Sequence, residues 1–176
     1  MKNIYLIGYR ATGKTTVGKA LAAAMDRPFV DADEMLEREQ GRTIAEIVEA
    51  GGWEEFRRLE KELLKRLSGL DRHIIAPGGG AILDPDNVQA MQGSGLVVWL
   101  TADPKVICNR LAGDDKTETQ RPALTDQGVL DEINTVLEQR IPLYKKAAML
   151  TVSTEGIGVD EICRRILDLA AGRDSD

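Results

Sequence analysis

Residues Gly8-Tyr9-Arg10-Ala11-Thr12-Gly13-Lys14-Thr15 keep the spacing G-x-x-x-x-G-K-[ST]. They stand between a short β-branched run, Ile4 to Ile7, and a stretch whose apolar Val17, Leu21 and Met25 recur every four residues. This junction constrains the fold more than any other part of the chain. A buried strand that turns through glycines into a helix aims successive backbone N–H groups into one concavity. The positive end of the helix adds to their field, so the loop suits di- and triphosphates. Lys14 supplies an ammonium for the outer phosphates, and the Thr15 hydroxyl is placed for Mg²⁺ bridging phosphate oxygens. The expected nucleotide contacts here are Gly8, Arg10, Ala11, Thr12, Gly13, Lys14, Thr15 and Thr16.

The rest of the chain alternates apolar bursts with helical stretches, the signature of parallel strands joined by crossover helices. Further strands are expected at 28–30, 73–76, 96–100 and 149–152. Thr43 begins a capping box with Glu46 and opens a brief helix that Gly51-Gly52 stops, followed by a longer helix over 53–67. Asp84-Pro85 and Asp103-Pro104 start two more helices, and others cover 129–146, bent at Pro142, and 159–171. Gly78-Gly79-Gly80 marks a tight backbone path. The segment 113–126 is polar and aperiodic, and a loop of that length in so short a chain is expected to be a lid.

At 176 residues the chain makes one domain by the usual size of about 150 residues. Its 43% hydrophobic and 30% charged content excludes a disordered or fibrous chain. The net charge of −6 disfavours nucleic acid or an acidic membrane as partner. No apolar run approaches the roughly 20 residues that span a bilayer, and the N-terminal run is too short for an export signal. Cys108 and Cys163 lack the spacing of a zinc site or a disulfide framework, so buried free thiols in a cytoplasmic protein are expected.

A phosphate loop alone does not choose among a kinase, a GTPase and a motor. The chain has no Asn-Lys-x-Asp segment to read guanine, and it is too short for transmission domains, which leaves a small kinase acting on a small acceptor. Asp31 and Asp33, two apart at the end of an extended segment, present both carboxylates to the crevice at the strands' carboxyl ends. One suits a water-mediated contact with Mg²⁺ and the other an attacking hydroxyl; the plain alternative is that they favour the start of the next helix. Arg57 offers the planar fork that matches a carboxylate, with Glu60 three residues on to hold it. Arg58, among acids at helical spacing, reads as a solvated pair. His73 reads as a strand-entry residue rather than a base.

These residues resemble the shikimate kinase family along nearly the whole chain. The likeness rests on the loop from Gly8 to Thr15, Asp31-Ala-Asp33, Phe56-Arg57-Arg58-Leu-Glu60, Gly78-Gly79-Gly80, Arg121-Pro122 and Arg140-Ile-Pro-Leu-Tyr144. The resemblance implies transfer of the γ-phosphoryl group of ATP, with Mg²⁺, to the 3-hydroxyl of shikimate on the way to chorismate. It implies a monomeric α/β kinase with a five-stranded parallel sheet of order 2-3-1-4-5, helices on both faces, a substrate-binding helical region at about 32–62 and a lid at about 112–126. By the same resemblance Asp33 orients the attacking hydroxyl, Arg57 and Arg140 clamp the carboxylate, and Gly79 and Gly80 contact the substrate through their backbone. Asp31 stands near the metal through water, Arg121 reaches the transferring phosphate from the lid, and Arg110 stacks on adenine. Gluconate kinase shares this fold and loop, and a non-catalytic nucleotide sensor is the reading from another class. Ala11 departs from the pattern, since the family commonly has glycine there; a left-handed alanine would cost about 1 kcal/mol, whereas a turn in the helical region would accept it freely.

Overall fold

A computed structural model of the chain describes residues 2–113 and 128–171. In chain order the elements are β1 (Asn3–Ile7), α1 (Lys14–Met25), β2 (Phe29–Asp31), α2 (Ala32–Gln40), α3 (Ile44–Leu67) and β3 (Ile74–Ala76). A short 3₁₀ turn (Ala81–Leu83) follows, then α4 (Pro85–Ser94), β4 (Gly95–Thr101), α5 (Pro104–Ala112), α6 (Val129–Ala147), β5 (Leu150–Ser153) and α7 (Val159–Ala171). The five strands form one parallel sheet in the order β2-β3-β1-β4-β5, as expected. The expected lid, from residue 114 onward, lies outside the described residues.

Every residue of β1 is buried, because the strand is central and helices cover both faces. Its alternate side chains divide between two cores. Tyr5 and Ile7 join Phe56, Leu63, Val97, Trp99 and Tyr144 on one face. Ile4 and Leu6 join Val17, Leu21, Val98, Leu100 and Ile166 on the other. At about 1.5–3 kcal/mol for each buried large aliphatic side chain, these two layers hold the sheet and set where β1 ends. A third cluster of Tyr9, Ile107, Leu111, Ile133, Val136 and Leu137 docks α5 and α6 beside the loop that follows β1.

The capping box at Thr43 forms: Thr43 Oγ1 accepts from the Glu46 N–H at 3.2 Å, and Glu46 Oε2 accepts from the Thr43 N–H at 2.7 Å. The brief and the long helix expected on either side of Gly51-Gly52 are one element, α3, broken at Gly52, where φ is 72° and ψ 177°. Three features depart from what the residue pattern alone gave, the first of them lying within the helical region that the resemblance put at about 32–62. A helix, α2, fills the stretch after β2, and the 3₁₀ turn follows the glycine triplet. Cys163 is buried as expected, but Cys108 is only half-buried.

Candidate active site

β1 stops at Ile7, and the chain turns at once into the glycine loop. Gly13 has φ 94°, a left-handed angle that side chains resist, and it lets α1 begin directly at Lys14. The side chains of Asp31, Thr43, Asp84 and Asp103 cap α2, α3, α4 and α5, whereas α1 has no side-chain cap. Its first-turn N–H groups are the donors that a phosphate oxygen satisfies. Within the loop the buried Thr12 hydroxyl donates to the Tyr9 carbonyl at 2.8 Å. Lys14 Nζ donates to the carbonyls of Gly8 and Tyr9 at 3.0 and 2.9 Å. Ala11 is left-handed, with φ 58°, so of the two conformations open to it the costlier one is adopted.

Asp31 and Asp33 do not extend side by side. β2 ends at Asp31, whose Oδ1 accepts from the N–H groups of Asp33 at 3.1 Å and Glu34 at 3.5 Å, and this cap turns the chain into α2. Asp33 therefore projects from the first helical turn, two residues beyond the strand. The plain alternative of an acid starting a helix is thus met by Asp31, but its other oxygen, Oδ2, accepts from the Thr15 hydroxyl at 2.7 Å. Asp31 stands beside the loop threonine while it caps α2.

Arg57 lies on α3 beyond the break at Gly52. Its Nη1 donates to Oε2 of the buried Glu60 at 2.5 Å, and its guanidinium sits over the rings of Trp53 and Phe56, 5.6 and 5.0 Å from their centroids. A Cβ at Gly80 would collide with that guanidinium, so glycine is the residue that lets Arg57 reach the backbone there. Arg58 faces away and pairs with the exposed Glu55 and Glu62. From α6, Arg140 Nη1 and the Tyr144 hydroxyl both donate to the Gly79 carbonyl, at 3.3 and 2.5 Å. Tyr144 in turn stacks on Trp99 of β4. Gly79 rests on the phosphate loop: a Cβ on it would lie 3.2 Å from the Gly8 carbonyl oxygen. Lys14, Gly79, Gly80, Arg57 and Arg140 thus form one contiguous group.

On the other side of the loop, a cavity of about 330 Å³ is lined by Thr12, Gly13, Thr16, Arg110, Thr154 and Ile157, among others. Arg110 is not a loose surface arginine. Its Nη1 donates to the Ala11 carbonyl at 3.2 Å and to Thr154 Oγ1 at 3.0 Å, and its Nη2 donates to the Thr154 carbonyl at 2.8 Å. Arg10 turns toward α6 and pairs with Glu132. Burial pushes the Tyr9 phenol above its ordinary range, with the charges of Arg10, Glu132 and Arg140 also acting on it. Arg121 lies outside the described residues.

Comparison with known proteins decides the family. The family model described as "Shikimate kinase" matches residues 10–171. The chain belongs to the shikimate kinase family. A shikimate kinase of Syntrophus aciditrophicus is 40% identical, with 93% of this chain and 90% of the relative covered. One from Rhodopirellula baltica is 42% identical, with 96% and 90% covered. Among solved structures, a shikimate kinase from Acinetobacter baumannii in complex with shikimate is similar, with a TM-score of 0.91, 32% identity, and 98% of this chain and 94% of that chain covered.

Reading the sequence within that family left several residues without a part. Glu132 and Thr154 belong to no motif that marks chemistry, Tyr9 fills one of the unspecified positions of the loop motif, and each reaches the site from a separate element or loop. Tyr144 stood inside a recognised motif, but its hydroxyl bond to Gly79 depends on α6 packing against the 78–80 turn. For Glu132 a usable signal exists: an acid amid the apolar Leu130, Ile133, Val136 and Leu137 of an amphipathic helix demands a buried cation.

Proposed function

We infer that this chain uses ATP to phosphorylate the 3-hydroxyl of shikimate, giving shikimate 3-phosphate and ADP. The observation that carries the reading is the meeting of Arg57 and Arg140, from two helices, at the Gly79-Gly80 backbone that rests on the phosphate loop. Two guanidinium groups beside one turn suit a carboxylated acceptor next to a phosphoryl donor. Arg57, held by Glu60, and Arg140 grip the carboxylate, and the Gly79 and Gly80 backbone borders the ring. Asp33, in the first turn of α2, accepts a hydrogen bond from the attacking hydroxyl; in so loose a transition state its main task is orientation. The loop N–H groups, Lys14 and, from the lid, Arg121 offset the charge of the transferring phosphoryl group. The cavity lined by Arg110 and Thr154 takes the nucleoside, with Arg110 against the base.

Mg²⁺ fits the donor set beside the loop. Thr15 Oγ1 and Asp31 Oδ2 are 2.7 Å apart, a hydroxyl and a carboxylate of the kind that hard cation takes directly or through water. Among the described residues no group of three or more His, Cys, Asp or Glu is placed to cage a metal, which matches an ion that arrives with nucleotide phosphates and waters. Bound there, Mg²⁺ would neutralise charge on the phosphate oxygens.

The same reading takes the chain as a single cytoplasmic domain, with residues about 32–62 as the acceptor region and about 112–126 as the lid. It acts as a monomer without nucleic-acid or membrane partners. The net charge of −6 supports this, and no helix among the described residues is long and apolar enough to cross a membrane. ADP release from purified protein with ATP, Mg²⁺ and shikimate tests the activity, with gluconate as the competing acid. Turnover on shikimate is expected; a folded, nucleotide-binding sample that turns over gluconate alone, or neither acid, overturns the reading.

A further inference from the structure

Glu132 lies in the first turn of α6 at 3% exposure, and its Oε1 accepts from Arg10 Nη2 at 2.7 Å. Arg10 belongs to the phosphate loop, so this bond ties two segments 122 residues apart in sequence. A buried acid here is unfavourable on two counts. Burial strips its water, and its negative charge opposes the anions that the site is built to hold. Its retention calls for a gain elsewhere, and the surrounding contacts supply one.

Tyr9 packs with Ile133, Val136 and Leu137 of α6, and the Arg10 guanidinium lies 5.5 Å from the Tyr9 ring centroid. The Arg10 side chain also acts on the Tyr9 phenol, countering part of the rise that burial gives it, so this otherwise apolar layer carries its polar groups where the loop meets α6. The Arg10–Glu132 pair is a direct polar tie between a loop side chain and α6. Eight residues farther along that helix, about 12 Å at 1.5 Å per residue, Arg140 meets the Gly79 carbonyl, and Gly79 itself touches the loop. The helix is therefore pinned to the loop at one end by an ion pair and at the other by the turn that borders the acceptor.

We propose that Glu132 is a positioning residue for the reaction: by gripping Arg10 from the first turn of α6, it fixes that helix, and with it Arg140, against the phosphate loop. The proposal rests on the acceptor role inferred for Arg140. It makes a prediction of sign. If Glu132 were a bystander, replacing it with the neutral isostere would leave the pocket more positive and tighten every anion. If it positions Arg140, Glu132→Gln weakens the carboxylated acceptor and spares the nucleotide.

Titration calorimetry of Glu132→Gln with shikimate, in the presence of ADP, and separately with ADP decides between them. The expected result is a shikimate Kd about tenfold higher, equal to about 1.4 kcal/mol, with the ADP Kd within about twofold of wild type. An unchanged or tighter shikimate Kd in the folded variant overturns the proposal, as does an equal loss for both ligands, which a merely structural role would give. If Glu132→Gln does not fold, the charge-balanced double variant Arg10→Met with Glu132→Leu replaces the pair by apolar groups of similar size, a swap that buried ion pairs tolerate. It too is expected to bind shikimate more weakly, and wild-type shikimate affinity in it overturns the proposal. Arg140→Ala in the same titration separates the two readings. If it leaves shikimate binding intact, the acceptor assignment fails and this proposal fails with it. If it weakens shikimate while Glu132→Gln does not, the positioning proposal alone fails.

Discussion

In the proposed nucleotide half of the crevice, the phosphate-binding groups of the loop are backbone N–H donors and one lysine drawn from eight consecutive residues, 8–15. The proposed acceptor half draws on Asp33 of α2 and on side chains of α3 and α6 that meet the backbone of residues 79 and 80. The first half starts from local conformation, including a left-handed Gly13 and Ala11, with Arg110 and Glu132 reaching in to the Ala11 carbonyl and Arg10. The second depends on packing: Glu60 holds Arg57, Trp99 backs Tyr144, and Tyr144 and Arg140 share one carbonyl. A phosphate is recognised through donors that any sequence of the right shape provides, whereas a particular carboxylated ring needs side chains placed by several elements at once.

If the halves are as separate as this, damage to each shows in a different kinetic constant. The largest effect is expected for Lys14→Met, which removes charge from the transferring group and should lower kcat by about 10²–10³-fold in the ADP-release assay. Asp33→Asn should lower kcat by about 10²-fold while the ADP Kd stays within about twofold; an equal fall in nucleotide affinity would break the comparison. Arg57→Ala should raise the shikimate KM about 10–100-fold, the range for losing hydrogen bonds between charged groups, with the ATP KM little changed. Gly80→Ala should act in the same direction and less strongly, about tenfold, because the new Cβ pushes the Arg57 guanidinium away without removing it. The smallest effect is a gain. Ala11→Gly relieves the left-handed alanine and should raise Tm by about 1–3 °C in a thermal melt, since the unfolded glycine gives back part of the relief.

The same division explains what was legible in the sequence. The strands and the loop followed from apolar bursts and from a spacing that fixes backbone shape, the strand order came only from the family resemblance, and the Thr43 box was readable because all its atoms come from four neighbouring residues. The helix after β2 was not, because it begins within the strand's last residue: Asp31 serves as strand end and cap together, and periodicity alone cannot place that switch. The turn from Gly79 to Gly80 was readable as tight, but what crowds it, Arg57 on one side and the Gly8 carbonyl on the other, is a matter of tertiary packing. Glu132 was missed because its apolar neighbours on the helix hint at burial but do not name its partner, which arrives from the loop 122 residues away.

The double engagement of Asp31 has a mechanical corollary. One oxygen is committed to the backbone of Asp33 and Glu34, and the other to the Thr15 hydroxyl. The carboxylate cannot rotate about its χ angles without giving up the cap of a helix, a cost of about 1 kcal/mol. Any cation seated next to Thr15 therefore meets a stiff, pre-aimed oxygen rather than a swinging arm, and a tug on that oxygen is felt within two residues at Asp33, where the acceptor's hydroxyl is proposed to wait.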